Sequence, residues 1–113
     1  MSSPQAHIYE AQYPAKPKGL KYDGDKLQYS LIPPETTRAL AQVLTFGASK
    51  YSRDNWKHVE NAEQRYLDAL YRHLESYRLG EYLDPESGMP HLSHALTNLS
   101  FLHYFSTKDH NES

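Results

Sequence analysis

The chain of 113 residues contains no cysteine, which excludes a disulfide framework, thiolate zinc sites and a cysteine nucleophile, and fits a reducing compartment. It also lacks any run approaching the roughly 18 apolar residues that span a bilayer, and the start Met1-Ser2-Ser3-Pro4-Gln5 has no apolar export signal. A cytoplasmic location, with no membrane partner, is the expectation. A strong charge of one sign is missing too: 12 basic and 14 acidic side chains leave a formal net charge of −2 with the histidines neutral. Such a chain has no broad positive field to hold nucleic acid, so small ligands and protein partners are expected.

What is abundant is tyrosine and histidine, ten and seven residues respectively. Tyrosine covers apolar surface while keeping a polar tip wet, so many of the ten are expected at rims and interfaces. Histidine needs reading position by position. One small domain is expected, with residues 1–20 as an N-terminal arm, 21–106 as the folded unit and 107–113 as a polar tail. The arm carries Pro4, Pro14 and Pro17 without helical or alternating period, and its Ile8, Tyr9 and Tyr13 could pack on a neighbour.

Pro33-Pro34-Glu35 has the chemistry of a helix start, and Leu40, Val43, Leu44 and Gly47 follow at helical spacing, predicting a helix over about 34 to 50. A second helix is expected from Ala62 to Gly80, with Tyr66, Ala69, Leu70, His73, Leu74 and Tyr77 on one side and Gly80 as its stop. Turn residues fill 81–88, and a third helix follows from Pro90 to Phe105 with Leu92, Ala95, Leu96, Leu99 and Leu102 as its apolar stripe. No segment alternates as a strand. The fold class expected is all-α, three main helices and an extended arm.

Three constellations carry chemistry. On the third helix, His94 and Asn98 lie about 300° and 340° round from His91, so the three form a polar stripe beside the leucines. A histidine pair at i, i+3 can offer two ring nitrogens to one ion or one phosphate; it can equally cap a buried edge by hydrogen bonding. On the second helix His73 belongs to the inward face, whereas Asp68 and Glu75 fall opposite it and read as solvated surface. The connection offers Glu81, Asp84 and Glu86 within six residues. Clustered carboxylates repel unless solvent or a cation compensates, and they can be a plain acidic surface loop; their oxygens suit Mg²⁺ or Mn²⁺, and the imidazoles of His91 and His94 completing such a site would favour manganese or a heavier metal over magnesium. Finally, Lys26, Lys50, Lys57, Arg53 and Arg72 are cationic, and Tyr51, Asn55 and Trp56 follow the first helix. An amide beside an aromatic ring suits a nucleobase pocket, and a lone tryptophan equally serves as a core or interface anchor.

Several separated motifs then resemble one family. Lys21-Tyr22-Asp23-Gly24-Asp25-Lys26, Leu31-Ile32-Pro33-Pro34, Phe46-Gly47-Ala48-Ser49-Lys50-Tyr51 and Asn55-Trp56 are similar to the first half of the phage dATP/dGTP diphosphohydrolases. Arg72-His73-Leu74, Gly80-Glu81, Asp84-Pro85-Glu86-Ser87-Gly88 and His91-Leu92-Ser93-His94-Ala95 resemble its closing motifs, so the likeness runs over about residues 20 to 105. That family is related to the all-α MazG-type nucleoside triphosphate pyrophosphohydrolases and includes the MazZ enzymes, and Glu81-x-x-Asp84 matches one of the MazG-type acid pairs.

The resemblance implies a MazG-like helical subunit, a homo-oligomer (dimer or tetramer) and cleavage of a purine (deoxy)nucleoside triphosphate, dGTP, GTP or dATP, to monophosphate and pyrophosphate. It implies divalent metal, Mg²⁺ or Mn²⁺, at Glu81 and Asp84 with Glu35, Glu86, His91 or His94 completing the shell. Catalytic roles then fall to Glu81, Asp84, His73 and Arg72. Lys26, Lys50, Tyr51, Asn55, Trp56 and Asn98 become the substrate-binding set, in the host cytoplasm if the chain is phage-encoded. The alternatives are a nucleotide phosphohydrolase that releases phosphate and a noncatalytic helical adaptor.

Overall fold

The computed structural model describes residues 19–111. The arm expected over residues 1–20, with Pro4, Ile8, Tyr9, Tyr13, Pro14 and Pro17, lies almost wholly outside the described residues. The all-α expectation holds: α1 spans Pro34–Lys50, α2 Ala62–Arg78 and α3 His91–Asn111, with one-turn 3₁₀ segments at Tyr29–Leu31 and Asn55–His58. Pro34 at the first turn of α1 loses no needed donor, and Glu35 beside it complements the helix dipole. α3 runs to Asn111, so residues 106–111 extend the helix rather than leaving it as a tail; Lys108 and His110 near the end suit the dipole there. Among the described residues no helix is long and apolar enough to cross a membrane.

α2 stops as its sequence predicts. Gly80 takes a φ of 100°, its N–H bonds to Tyr77 O, and the N–H of Glu81 reaches back to Ser76 O at 2.9 Å. This paired closure needs a left-handed residue at its corner, which glycine supplies without a Cβ clash. The chain then forms a short hairpin closed by an isolated bridge between Leu83 and Pro90, with Asp84 N–H on Met89 O and His91 N–H on Tyr82 O. Gly88, at φ 76°, makes its return bend. The hairpin aims α3 back along α2, its principal packing partner, and α1 packs on α3 more lightly.

The orientation of α3 overturns one expectation. Its inward face mixes the two stripes: His91 is 3% exposed, Thr97 1% and Ala95, from the apolar stripe, 5%, with Leu96 and Leu102 half-buried. Leu92 and Leu99, expected to lead the apolar face inward, are 41% and 52% exposed. The polar face can turn inward because it is satisfied. Thr97 donates to Ser93 O and Asn98 to His94 O, each at 2.8 Å, and among the described residues every buried side-chain nitrogen and oxygen has a partner. The lower half of α3 packs conventionally, through an aromatic cluster. Trp56 stacks on Phe101 at 4.3 Å and 14°, meets Tyr104 edge-on, and its carbonyl accepts the Tyr66 hydroxyl at 2.6 Å. Burial pushes the Tyr66 phenol above its ordinary range, against a smaller lowering by Arg65.

Candidate functional site

The hairpin places its acids against the histidines of α2 and α3 in two hydrogen-bonded lines. In the first, Glu81 Oε1 lies 2.7 Å from His91 Nε2, and His91 Nδ1 lies 2.8 Å from His73 Nδ1. A carboxylate only accepts, so His91 donates through Nε2, its Nδ1 accepts, and His73 donates through Nδ1. In the second, the Ser87 hydroxyl donates to Asp84 Oδ2 at 3.0 Å, and His94 Nε2 meets the same hydroxyl oxygen at 2.6 Å. The Met89 N–H also bonds Ser87 Oγ, at 3.1 Å. The two lines touch where the His73 and His94 rings stack, 4.7 Å apart and 13° from parallel.

Electrostatics follow from this crowding. His73 is held below its ordinary range first by burial and then by the neighbouring His94 and His91 rings and Arg72, with Asp84 opposing. His94 is lowered first by burial and also by His91, with Asp84 and Glu86 pulling the other way. For Asp84 burial is the largest influence and acts to raise it. The Ser87 hydroxyl, the Glu86 and Ser87 N–H groups and His94 together outweigh burial and hold the carboxyl below its usual range. Both rings are therefore neutral near pH 7 and Asp84 is ionised.

These contacts bear on the ion reading. Both nitrogens of His91 and Nε2 of His94 are already engaged, and Asp84 accepts from its own loop. Glu86 contributes a backbone N–H to Asp84 Oδ1, and Glu35 stands exposed in the first turn of α1. Among the described residues no three His, Asp or Glu side chains are arranged to hold a metal ion. As they stand, the residues do not fit one.

Beside the stacked rings lies a cavity of about 800 Å³ between α1, α2 and α3. It gathers Lys50, Tyr51, Arg53, Asn55, Trp56, Arg72, His94 and Asn98 from the residues singled out in the sequence. Lys26 is exposed in the turn it closes with Asp23 and is not in the wall, nor are Glu35, His73, Glu81, Asp84, Glu86 and His91. Trp56 lines the cavity as part of the aromatic cluster, with one ring face covered by Phe101, so its anchoring role is real. Lys50 Nζ sits 5.3 Å over the Phe46 ring and 5.4 Å over that of Tyr51.

Sequence reasoning missed three charged wall residues: Arg65, Asp68 and Glu60. Asp68, read as solvated surface, is exposed and still lines the cavity, because the wall extends along α2 past its packed face. Glu75, placed on the same side, pairs with Arg78 on the surface.

Comparison with known proteins is consistent over nearly all of this region. The family model described as dATP/dGTP diphosphohydrolase, N-terminal, matches residues 16–113. A "dATP/dGTP diphosphohydrolase" of Salmonella phage PMBT28 is 38% identical over 84 residues, which cover 74% of this chain and 28% of that relative. The chain thus aligns with less than a third of the length of that curated relative. No solved structure matches. With a family match running from residue 16 to residue 113, the chain belongs to the dATP/dGTP diphosphohydrolase N-terminal family.

Proposed function

We propose that this chain hydrolyses a purine (deoxy)nucleoside triphosphate, dGTP, GTP or dATP, to the monophosphate and pyrophosphate in the cavity between its helices. The observation that carries the reading is the cavity wall, where Lys50, Arg53, Arg65 and Arg72 stand with the amides of Asn55 and Asn98. Four cations answer the charge of a triphosphate, and amides beside an aromatic wall answer a base. The name of the phage relative supports the same substrate class.

In this reading Lys50 and Arg72 hold phosphate oxygens, while Asn55, Tyr51 and Asn98 frame the base against the Trp56 edge. Asn98 spends an N–H on His94 O, leaving its amide oxygen as an acceptor for a base N–H. Mg²⁺ or Mn²⁺ is part of the proposal as a companion of the triphosphate, whose charge it would neutralise. Glu81, Asp84, Glu86, His91 and His94 serve it only if their present hydrogen bonds are given up, so no step is assigned to it. The exposed Leu92 and Leu99 of α3, with Leu79 and Tyr82 at 83% and 60% exposure, favour a homo-oligomer, a dimer or tetramer. The host cytoplasm is the proposed compartment.

The test is incubation of the purified chain with each of the eight common nucleoside triphosphates and Mg²⁺, Mn²⁺ or EDTA, with products resolved chromatographically. Monophosphate plus pyrophosphate from a purine substrate, lost in EDTA, is the expected result. Orthophosphate as the product would favour the phosphate-releasing alternative. No turnover under any ion would refute the enzyme reading in favour of the adaptor.

A further inference from the structure

We infer that Asp68 determines sugar specificity: its carboxylate, set between Arg65 and Arg72 in the cavity wall, accepts a hydroxyl of the nucleotide sugar. The inference rests on the hydrolase reading above and gives a task to an acid which that reading leaves unused.

The placement follows from α2. At 100° per residue Asp68 lies about 60° of arc from Arg65 and about 40° from Arg72, so the three form one flank of the helix, and all three line the cavity. Opposite charges three and four residues apart on a helix ordinarily pair. Asp68 pairs with neither arginine: among the described residues its hydrogen bonds are to Gln64 Nε2 alone, at 3.3 and 3.4 Å. Both are long and come from one neutral amide, so each carboxylate oxygen keeps a lone pair to offer. The two arginines keep their donors for phosphate, and the acid between them keeps its acceptors.

A nucleoside triphosphate is ordered phosphate, sugar, base. The aromatic end of the cavity is marked by Trp56, whose carbonyl takes the Tyr66 hydroxyl at 2.6 Å, and Arg72 stands further along α2. At 1.5 Å of rise per residue Asp68 is about 3 Å beyond Tyr66 and about 6 Å short of Arg72. It therefore stands between the end assigned to the base and the end assigned to the phosphates, at the level of the sugar. Charge points the same way. A carboxylate repels phosphate oxygens and accepts from O–H groups, as an acid does on the ribose hydroxyl of bound dinucleotides. The other acid in the wall, Glu60, precedes the first residue of α2 and so falls at the end away from Arg72.

The test is equilibrium binding to the full chain by calorimetry, in EDTA and separately with Ca²⁺, using the ribo-, 2′-deoxy- and 2′,3′-dideoxynucleoside triphosphates of guanine and adenine. The dideoxy form is expected to bind about tenfold more weakly than the deoxy form, the loss of one hydrogen bond to a charged acceptor. Asp68→Ala is expected to bring that ratio to about one by weakening the deoxy form alone, and Asp68→Asn, which keeps an acceptor oxygen without the charge, to leave about threefold. Asp68 is exposed, so both variants should keep wild-type far-UV helicity. A drop between the ribo and deoxy forms that vanishes in Asp68→Ala names the 2′-hydroxyl as the donor and supports the same assignment. A ratio near one in the wild type, a ratio that survives Asp68→Ala, or a ratio lost in Glu60→Ala instead overturns it. So does a guanine-to-adenine ratio that changes in Asp68→Ala while the sugar ratio stays, because the carboxylate then reads the base. Each of these leaves the hydrolase reading standing, whereas a wild-type chain that binds none of the triphosphates under either condition overturns both together.

Discussion

Replacing His91 with alanine removes the ring that joins the hairpin to both long helices, and its cost can be worked from the contacts. The ring is 3% exposed and makes two hydrogen bonds, to His73 at 2.8 Å and to Glu81 at 2.7 Å. The first, between half-buried rings, contributes about 1 kcal/mol. The second ends on a carboxylate whose side chain is 53% exposed, so screening reduces it to about 0.5 kcal/mol. Loss of the buried ring's packing adds about 1 kcal/mol, giving a total of about 2.5 kcal/mol. For a folded unit of this size that lowers Tm by roughly 10–20 °C. Circular dichroism melts at one fixed protein concentration, chosen because assembly makes Tm concentration-dependent, provide the assay. A cycle with His73→Ala should return a coupling of about 1 kcal/mol. A loss below about 0.5 kcal/mol for His91→Ala, or no coupling, would refute the claim that this ring ties the hairpin to the helices.

Other outcomes follow from the same structure. Gly80→Ala puts a Cβ on a residue at φ 100° and should cost about 1–2 kcal/mol in denaturant unfolding, with far-UV helicity kept. Because burial holds His73 and His94 below their unfolded values, the unfolded chain binds more protons as pH falls below about 6.5. Stability should therefore be full above that pH and decline as pH drops from it toward the folded values. Asp84 adds a second loss at lower pH, as its depressed carboxyl is protonated; a flat profile between pH 7 and 5 would contradict the two histidine shifts. Arg72→Ala should weaken nucleoside triphosphate binding by roughly ten- to a hundredfold by calorimetry, since a charge-assisted contact is worth about 1.5–3 kcal/mol. Leu99→Glu should reduce the assembled fraction in sedimentation while leaving helicity unchanged, because Leu99 is 52% exposed on the single chain.

Local chemistry was legible in the sequence because it is decided within one turn of chain. Proline at the start of α1, glycine after α2 and the punctuated hairpin set those boundaries through φ preferences and missing or satisfied donors, whatever the rest of the fold does. The histidine stripe of α3 and the inward His73 were likewise readable from helical periodicity, and eight of the residues singled out do line one cavity. The end of α3 was misjudged because Ser106 to Asn111 is polar, and polarity says nothing against a helix whose last turns face water.

Tertiary structure alone decided which face of α3 turns inward. Hydrophobic patterning puts the whole apolar stripe inside; in the single chain Ala95 is buried and Leu96 and Leu102 are half-buried, while Leu92 and Leu99 stay outside and His91 and Thr97 take inner places with their hydrogen bonds made. The use of the acids was decided there too. Clustered carboxylates near histidines are ambiguous as sequence, since ion binding and hydrogen bonding use the same atoms. The hairpin resolves them into two donor–acceptor lines, because closing Leu83 on Pro90 brings Glu81 and Asp84 within reach of rings that sit ten residues further on. Asp68, Glu60 and Arg65 joined the cavity for the same reason: a wall is a property of three helices at once, and periodicity describes one.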